Sequence, residues 1–150
     1  MVNIGDATVD LGTQMRSAAA YRHWISAHSD KYVLIRSTDD IRKAKKDNKL
    51  AIAFDVEGAY AMGDDLCILS LYYDLGVRWM LMAYNRANAV GYGCHDDEDL
   101  GLTSFGYKAI AEMDRVGLIK CCSHTGYKTA MDVLEASEKP VIFSHSNPKA

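Results

Sequence analysis

Proline is nearly missing, at two residues in 150, and the eleven glycines follow no period. Collagen-like and linker-like chains are thereby excluded. The cysteines are four, Cys67, Cys94, Cys121 and Cys122, and none belongs to a C-x-x-C pair. A zinc ribbon or a secreted disulfide framework would space them differently, so buried thiols in a reducing compartment are the expectation. An excess of positive charge is lacking as well. Seventeen Lys and Arg stand against twenty Asp and Glu, for a net charge of −3. The one basic run, Arg42-Lys43-Ala44-Lys45-Lys46, sits in an acidic chain, so no nucleic-acid partner is expected. No apolar stretch is long enough to span a bilayer, and residues 1–6 have neither the basic nor the apolar region of a signal peptide. A cytoplasmic chain without a membrane segment is the expectation, although its parent could be exported.

What is present is 49% hydrophobic and 25% charged, enough for one core and one domain over residues 1–150. Helix and strand patterns alternate along it. Met15, Ala18, Ala19, Arg22 and Ile25 recur at helical spacing in residues 13–27. A short strand at 32–35 is followed by Ser37-Thr38-Asp39-Asp40, caps for a basic helix to about Asp47. Residues 50–56 are mostly apolar, as in a strand buried on both faces. Helices are expected at 64–75, 103–116 and 125–137, the first two closed by Gly76 and Gly117. Strands are expected at 77–83, 118–123 and 140–144.

Repeated alternation with short connections predicts a parallel α/β sheet. No G-x-G-x-x-G and no P-loop follows a strand, which removes the commonest nucleotide-binding forms. A (β/α)8 barrel takes ~250 residues, so this chain supplies about half of one.

The strand ends carry the chemistry. Glu57 follows the strand at 50–56, Tyr84 and Asn85 follow 77–83, His124 follows 118–123, and His145 closes the last. In parallel α/β folds sites are built on that edge. Glu and neutral imidazole are ordinary zinc ligands, and three protein ligands with one open position make a catalytic arrangement. The competing reading makes Ser123-His124-Thr125 and Ser144-His145-Ser146 helix-cap hydroxyls with incidental histidines. Three further features are set aside. His28-Ser29-Asp30 has H-x-D spacing but precedes a strand, at the wrong end for a site. His95-Asp96-Asp97-Glu98-Asp99 reads as solvated surface or as a lid over the site. His23 lies mid-helix and reads as surface.

Longer motifs give the chain a family likeness. Gly101-Leu102-Thr103-Ser104-Phe105-Gly106, Glu112-Met113-Asp114-Arg115-Val116-Gly117, Ser123-His124 and Pro140-Val141-Ile142-Phe143-Ser144-His145-Ser146 stand in order. With Asp55-Val56-Glu57-Gly58 upstream, this set resembles the membrane (renal) dipeptidase family. The resemblance covers residues from about 39 to 150 and implies zinc dipeptidases on an amidohydrolase-type (β/α)8 barrel. It implies that Glu57 bridges two zinc ions and that His124 and His145 complete one zinc position. It also implies dipeptide substrates, often with a C-terminal D-residue, hydrolysed by a metal-held hydroxide.

Departures from the family pattern are specific. No first-strand H-x-D is found for the second zinc position, and the expected late aspartate and substrate-gripping arginine would lie beyond Ala150. Tyr84 stands where a substrate-contacting histidine is expected, so oxyanion stabilisation would pass to its phenol or to Asn85. Cys121 replaces an aspartate, and Ala59 a glycine. The expectation is therefore a catalytically incomplete internal fragment of a zinc dipeptidase, with Glu57, Tyr84 and Asn85 catalytic, and Tyr84 and Asn85 touching substrate. Its open barrel edges should favour self-association. Two alternatives stay open: a non-catalytic half-barrel that binds one metal or a peptide, and a related amidohydrolase acting on a lactam or other amide.

Overall fold

In a computed structural model that describes residues 1–147, the elements run β1 (Val2–Asp6), α1 (Leu11–Ala27), β2 (Tyr32–Leu34), α2 (Thr38–Lys46), β3 (Leu50–Ile52) and β4 (Phe54–Glu57). A 3₁₀ turn (Ala59–Met62) leads to α3 (Cys67–Leu75), β5 (Val77–Leu81), α4 (Ser104–Val116), β6 (Ile119–Cys121), α5 (Tyr127–Ala136) and β7 (Val141–Ile142). Five strands form one all-parallel sheet in the spatial order β1-β4-β5-β6-β7, and β2 and β3 pair in parallel beside it. This is a partial (β/α)8 barrel: the strands follow chain order, and helices cover one face.

The helices are set by local chemistry. Asp10 opens α1 by accepting the Thr13 amide at 2.7 Å. Ser37 and Asp40 form a reciprocal capping box on α2, with three lysines in its last turn that suit the helix dipole. Thr103 caps α4 through the Gly106 amide at 2.8 Å. Gly76 and Gly117 close α3 and α4 in left-handed conformations, as expected.

Side chains alternate across the sheet. Phe54, Val56, Met80, Met82 and Cys122 pack with Leu69, Ile110, Met113 and Val133 of the helices into one core. The opposite face carries Asn3 and Asp55, joined at 3.0 Å, together with Glu57, Leu81 and Cys121. One outward residue departs from the apolar rule. Lys120, in the middle of β6, is wholly buried and forms an ion pair with Asp114 of α4. The Glu138 amide gives Asp114 a further bond at 2.9 Å.

Three expectations need correction. β1 was not expected; it supplies the edge of the main sheet through the Val2↔Phe54 and Asn3↔Asp55 pairs. The apolar run at 50–56 is not one strand. Leu50–Ile52 pairs with β2, and after Ala53 the chain transfers to β1 and β5. The reason is positional, since the run must bridge an outer two-stranded ribbon and the barrel sheet. The expected strands are also shorter than read, β7 comprising only Val141–Ile142. Among the described residues no helix is long and apolar enough to cross a membrane.

Candidate functional site

β4, β5, β6 and the segment after β7 converge at the C-terminal edge of the sheet. Glu57 is the last residue of β4. Tyr84 and Asn85 follow β5, His124 follows β6, and His145 follows β7. The structure brings all five together. His124 Nε2 and His145 Nε2 face each other at 2.8 Å, and Glu57 Oε1 lies 3.9 Å from His145 Nε2. The Tyr84 ring packs on His124, with centroids 4.6 Å apart. Asn85, expected to meet substrate, turns its amide oxygen to His124 Nδ1 at 2.7 Å.

The backbone here is unusual. Asn85 (φ 62°) and His124 (φ 61°) both adopt the left-handed conformation, which costs about 1–3 kcal/mol at a non-glycine residue. One segment holds both: the His95 amide donates to the Asn85 carbonyl, and the Cys94 amide to the His124 carbonyl, each at 2.8 Å. Gly93 permits this approach, because a Cβ there would stand 2.1 Å from the Asn85 carbonyl carbon.

Among the described residues, none of these hydroxyls caps a helix. α5 begins after Gly126, which has no side-chain cap. Ser144 Oγ instead lies 2.8 Å from His145 Nδ1, and Cys121 Sγ lies 3.2 Å from Ser144 Oγ. Ser123 Oγ, fully buried, accepts the His145 amide at 3.1 Å. For Ser123-His124-Thr125 the cap-hydroxyl reading does not hold at α5. The segment after Asn147 lies outside the described residues, and within them Ser144 and Ser123 bond to the His145 ring and backbone.

The acidic run is also not simply solvated surface. Asp99 accepts from the Lys128 amide at 2.6 Å and from the Thr129 hydroxyl at 2.7 Å. It stands in for the missing cap of α5 from across the loop. Asp96 accepts the Gly93 amide at 2.8 Å. Asp96 and Asp99 help line an open groove of about 1150 Å³ that runs from His124 along α5 to Phe143. His28 ends α1, with Nδ1 on the Trp24 carbonyl at 2.8 Å, away from this edge.

Electrostatics follow from burial. Burial, then the charge His145 can carry, holds the His124 imidazole below its ordinary value, against the pull of Glu57. Beneath Glu57, burial pushes the Asp55 carboxyl up, against the Asn3 hydrogen bond, with Glu57 adding to the rise. Among the described residues no three His, Cys, Asp or Glu side chains are grouped tightly enough to hold an ion as they stand. The donor chemistry nevertheless fits a borderline cation. Two imidazole nitrogens confront each other across a hydrogen bond with a carboxylate beside them, and each ring is steadied through its other nitrogen, as metal-binding histidines are. Sequence reasoning missed Ser123, Ser144 and Asp55; each flanks a strand-end ligand candidate by one or two residues, which was the signal available.

The sequence profile of the membrane dipeptidase family, peptidase family M19, matches residues 6–150. A Schizosaccharomyces pombe dipeptidase is 33% identical over 131 residues, covering 84% of this chain and 32% of that protein. An amidohydrolase structure from Pseudomonas aeruginosa superposes with a TM-score of 0.88 at 36% identity, covering 93% of this chain and 42% of that one. A Rhodobacter sphaeroides metallopeptidase, solved with a phosphinate mimic of the dipeptide L-Ala-D-Ala, gives a TM-score of 0.83 at 27% identity, over 91% of this chain and 40% of that one. The chain therefore spans about a third to two fifths of the length of these relatives.

Proposed function

The chain belongs to the membrane dipeptidase family, and from that premise we propose that residues 1–150 form part, about half, of the barrel domain of a zinc dipeptidase, with Glu57, His124 and His145 as ligands. The observation that carries the reading is the facing pair of Nε2 atoms at 2.8 Å with the Glu57 carboxylate alongside. Dipeptides are the proposed substrates, a reading supported by the dipeptide mimic bound to the Rhodobacter relative.

When bound, zinc makes water nucleophilic at neutral pH and polarises the scissile carbonyl. The chain's own side chains perform the rest. Glu57 supplies the negative charge that keeps a cation on the sheet edge. Tyr84, fixed by its contact with His124, offers a phenol O–H to charge developing on the carbonyl oxygen. Asn85 borders the same space but spends its oxygen on His124, leaving its NH₂ as the group that can meet substrate. A second reading makes another amide, such as a lactam, the substrate; the amidohydrolase likeness is compatible with it as well as with dipeptides.

Zinc titration of the 150-residue chain, alongside turnover by the chain and by a full-length family enzyme on dipeptides and lactams, tests this. One zinc per chain, lost in His124→Ala, and dipeptide turnover only by the full-length enzyme are expected. A second metal would find Glu57 as its only identified ligand here. Zinc binding unaffected by His124→Ala and His145→Ala overturns the ligand assignment, and preference for lactams replaces the dipeptide reading.

A further inference from the structure

The donors and acceptors around the two imidazoles run in one direction. Asn85 Oδ1 can only accept, and it stands 2.7 Å from His124 Nδ1. Nδ1 therefore carries the proton, and Nε2 is left with a lone pair. The Cys94 thiol approaches the same Oδ1 at 3.6 Å, in keeping with an oxygen there. His124 Nε2 faces His145 Nε2 at 2.8 Å, and with one nitrogen bare the other must donate. Neutral His145 accordingly has its proton on Nε2 and a lone pair on Nδ1. The Ser144 hydroxyl, 2.8 Å from that Nδ1, donates to it, and its own lone pairs face the Cys121 thiol at 3.2 Å. The line reads from Cys121 through Ser144, His145 and His124 to Asn85.

We propose that Asn85 and Ser144 are positioning residues with unequal tasks: Asn85 locks His124 with its Nε2 lone pair turned into the cluster, whereas Ser144 lets His145 exchange tautomers as a cation enters. The inference rests on the reading of both histidines as metal ligands. With both Nε2 atoms turned to one cation, His124 needs no change. His145 must give up its Nε2 proton to water and take one from water at Nδ1, so its charge and proton count stay the same. The Nδ1–H then donates to Ser144 Oγ, and the hydroxyl swings its own proton toward Cys121 Sγ. A hydroxyl serves in both directions because it is donor and acceptor at once. An amide oxygen in its place would hold His145 in one form, as Asn85 holds His124.

Imidazole ¹⁵N spectra of the metal-free chain, at a pH where both rings are neutral, test this without any turnover. His124→Gln and His145→Gln assign the signals. His124 is expected with Nδ1 protonated and His145 with Nε2 protonated. Asn85→Leu should return His124 to a tautomer mixture, and Asn85→Asp, which keeps an acceptor, should preserve the wild-type pattern. Added zinc should move the His145 proton to Nδ1 and leave that of His124 in place. Ser144→Ala should leave the metal-free spectrum intact yet weaken zinc binding, and Asn85→Leu should weaken it too, each by about 10–100-fold, as outer partners of metal ligands do. An Nε2-protonated His124 in the wild-type chain, or an Asn85→Leu spectrum identical to wild type, overturns the locking role of Asn85. Zinc binding without tautomer exchange at His145 overturns the role of Ser144. A chain with the expected metal-free tautomers that binds no zinc overturns the ligand reading and the exchange with it, and leaves the Asn85 lock standing.

Discussion

Asn85 and His124, at the ends of neighbouring strands, share a left-handed backbone and are joined side chain to side chain at 2.7 Å. Neither conformation is favourable for its residue alone. Both persist because the segment through Gly93, Cys94 and His95 bonds to the two carbonyls at once. The site is thus held by backbone as much as by side chains.

Within a full-length family enzyme, His145→Ala and Tyr84→Phe should separate sharply. A ligand sets where the cation sits, so its loss is expected to remove both zinc and turnover. A phenol that steadies an oxyanion is worth about 10²–10³ in rate, and Tyr84→Phe should keep its zinc. Equal losses from the two substitutions, measured as kcat and bound metal, would contradict these roles.

Lys120 and Asp114 form a buried ion pair, and breaking one side leaves the other charge stranded. Lys120→Met should destabilise the chain by about 3–5 kcal/mol in urea unfolding, and adding Asp114→Leu should restore much of that. Additive losses would mean that the pair does not act as a unit.

Acid should act through Asp99 and Asp114. Burial would raise both carboxyls, but hydrogen bonds from Thr129 hold Asp99 below its ordinary range, and Lys120 with the Glu138 amide does the same for Asp114. A folded-state value below the unfolded one adds stability that is complete above the ordinary carboxylate range, about 4, and is lost as pH falls through the depressed values. Asp99→Ala should cost about 1–2 kcal/mol near neutrality and flatten this acid slope. An unchanged slope in melts from pH about 6 to about 3 would remove Asp99 from the account.

Thiol reagents should divide the four cysteines by place. Cys94 and Cys67 are exposed, and Cys121 and Cys122 are buried. Burial pushes the Cys122 thiol up to about 12, so almost no thiolate forms there at ordinary pH. Asp65, by hydrogen bond and charge, raises Cys67 as well. Mass spectrometry after brief iodoacetamide treatment should find Cys94 labelled first, Cys67 next, and the vicinal pair only after unfolding. Early labelling of Cys121 would contradict the packing around Ser144.

Self-association should rise with concentration. The outer edges of β1 and β7 have no strand partner among the described residues, and Phe143, Met131 and Leu134 are partly exposed beside β7. Such edges pair with other chains. Light scattering that shows one unchanging monomer up to high concentration would contradict this.

The strand-end rule makes the convergence of Glu57, His124 and His145 at one edge legible in the amino-acid sequence, because a parallel sheet delivers its final residues there whatever the loops do. β1 is not legible there. Val2-Asn3-Ile4-Gly5-Asp6 is short and half polar, and becomes a strand only by lying against Phe54 and Asp55. The break at Ala53 leaves no mark in an apolar run, since it depends on which neighbours wait on each side. Asp99 reads as surface because the amides it caps lie 29 and 30 residues further on. Lys120 is absorbed into an apolar strand, and its partner is visible only once α4 packs across β6.

The order of the strands in the sheet bears on how the molecule is made. β4, β5, β6 and β7 each pair with the one before, so a nascent chain leaving the ribosome can add one strand–helix unit at a time to a growing edge. Glu57 is placed early in that sequence and His124 late. His145 arrives with β7, and until then the His124 ring has no facing imidazole. The facing imidazole pair therefore forms only once β7 has joined the sheet, after the β4–β6 core beneath it is in place.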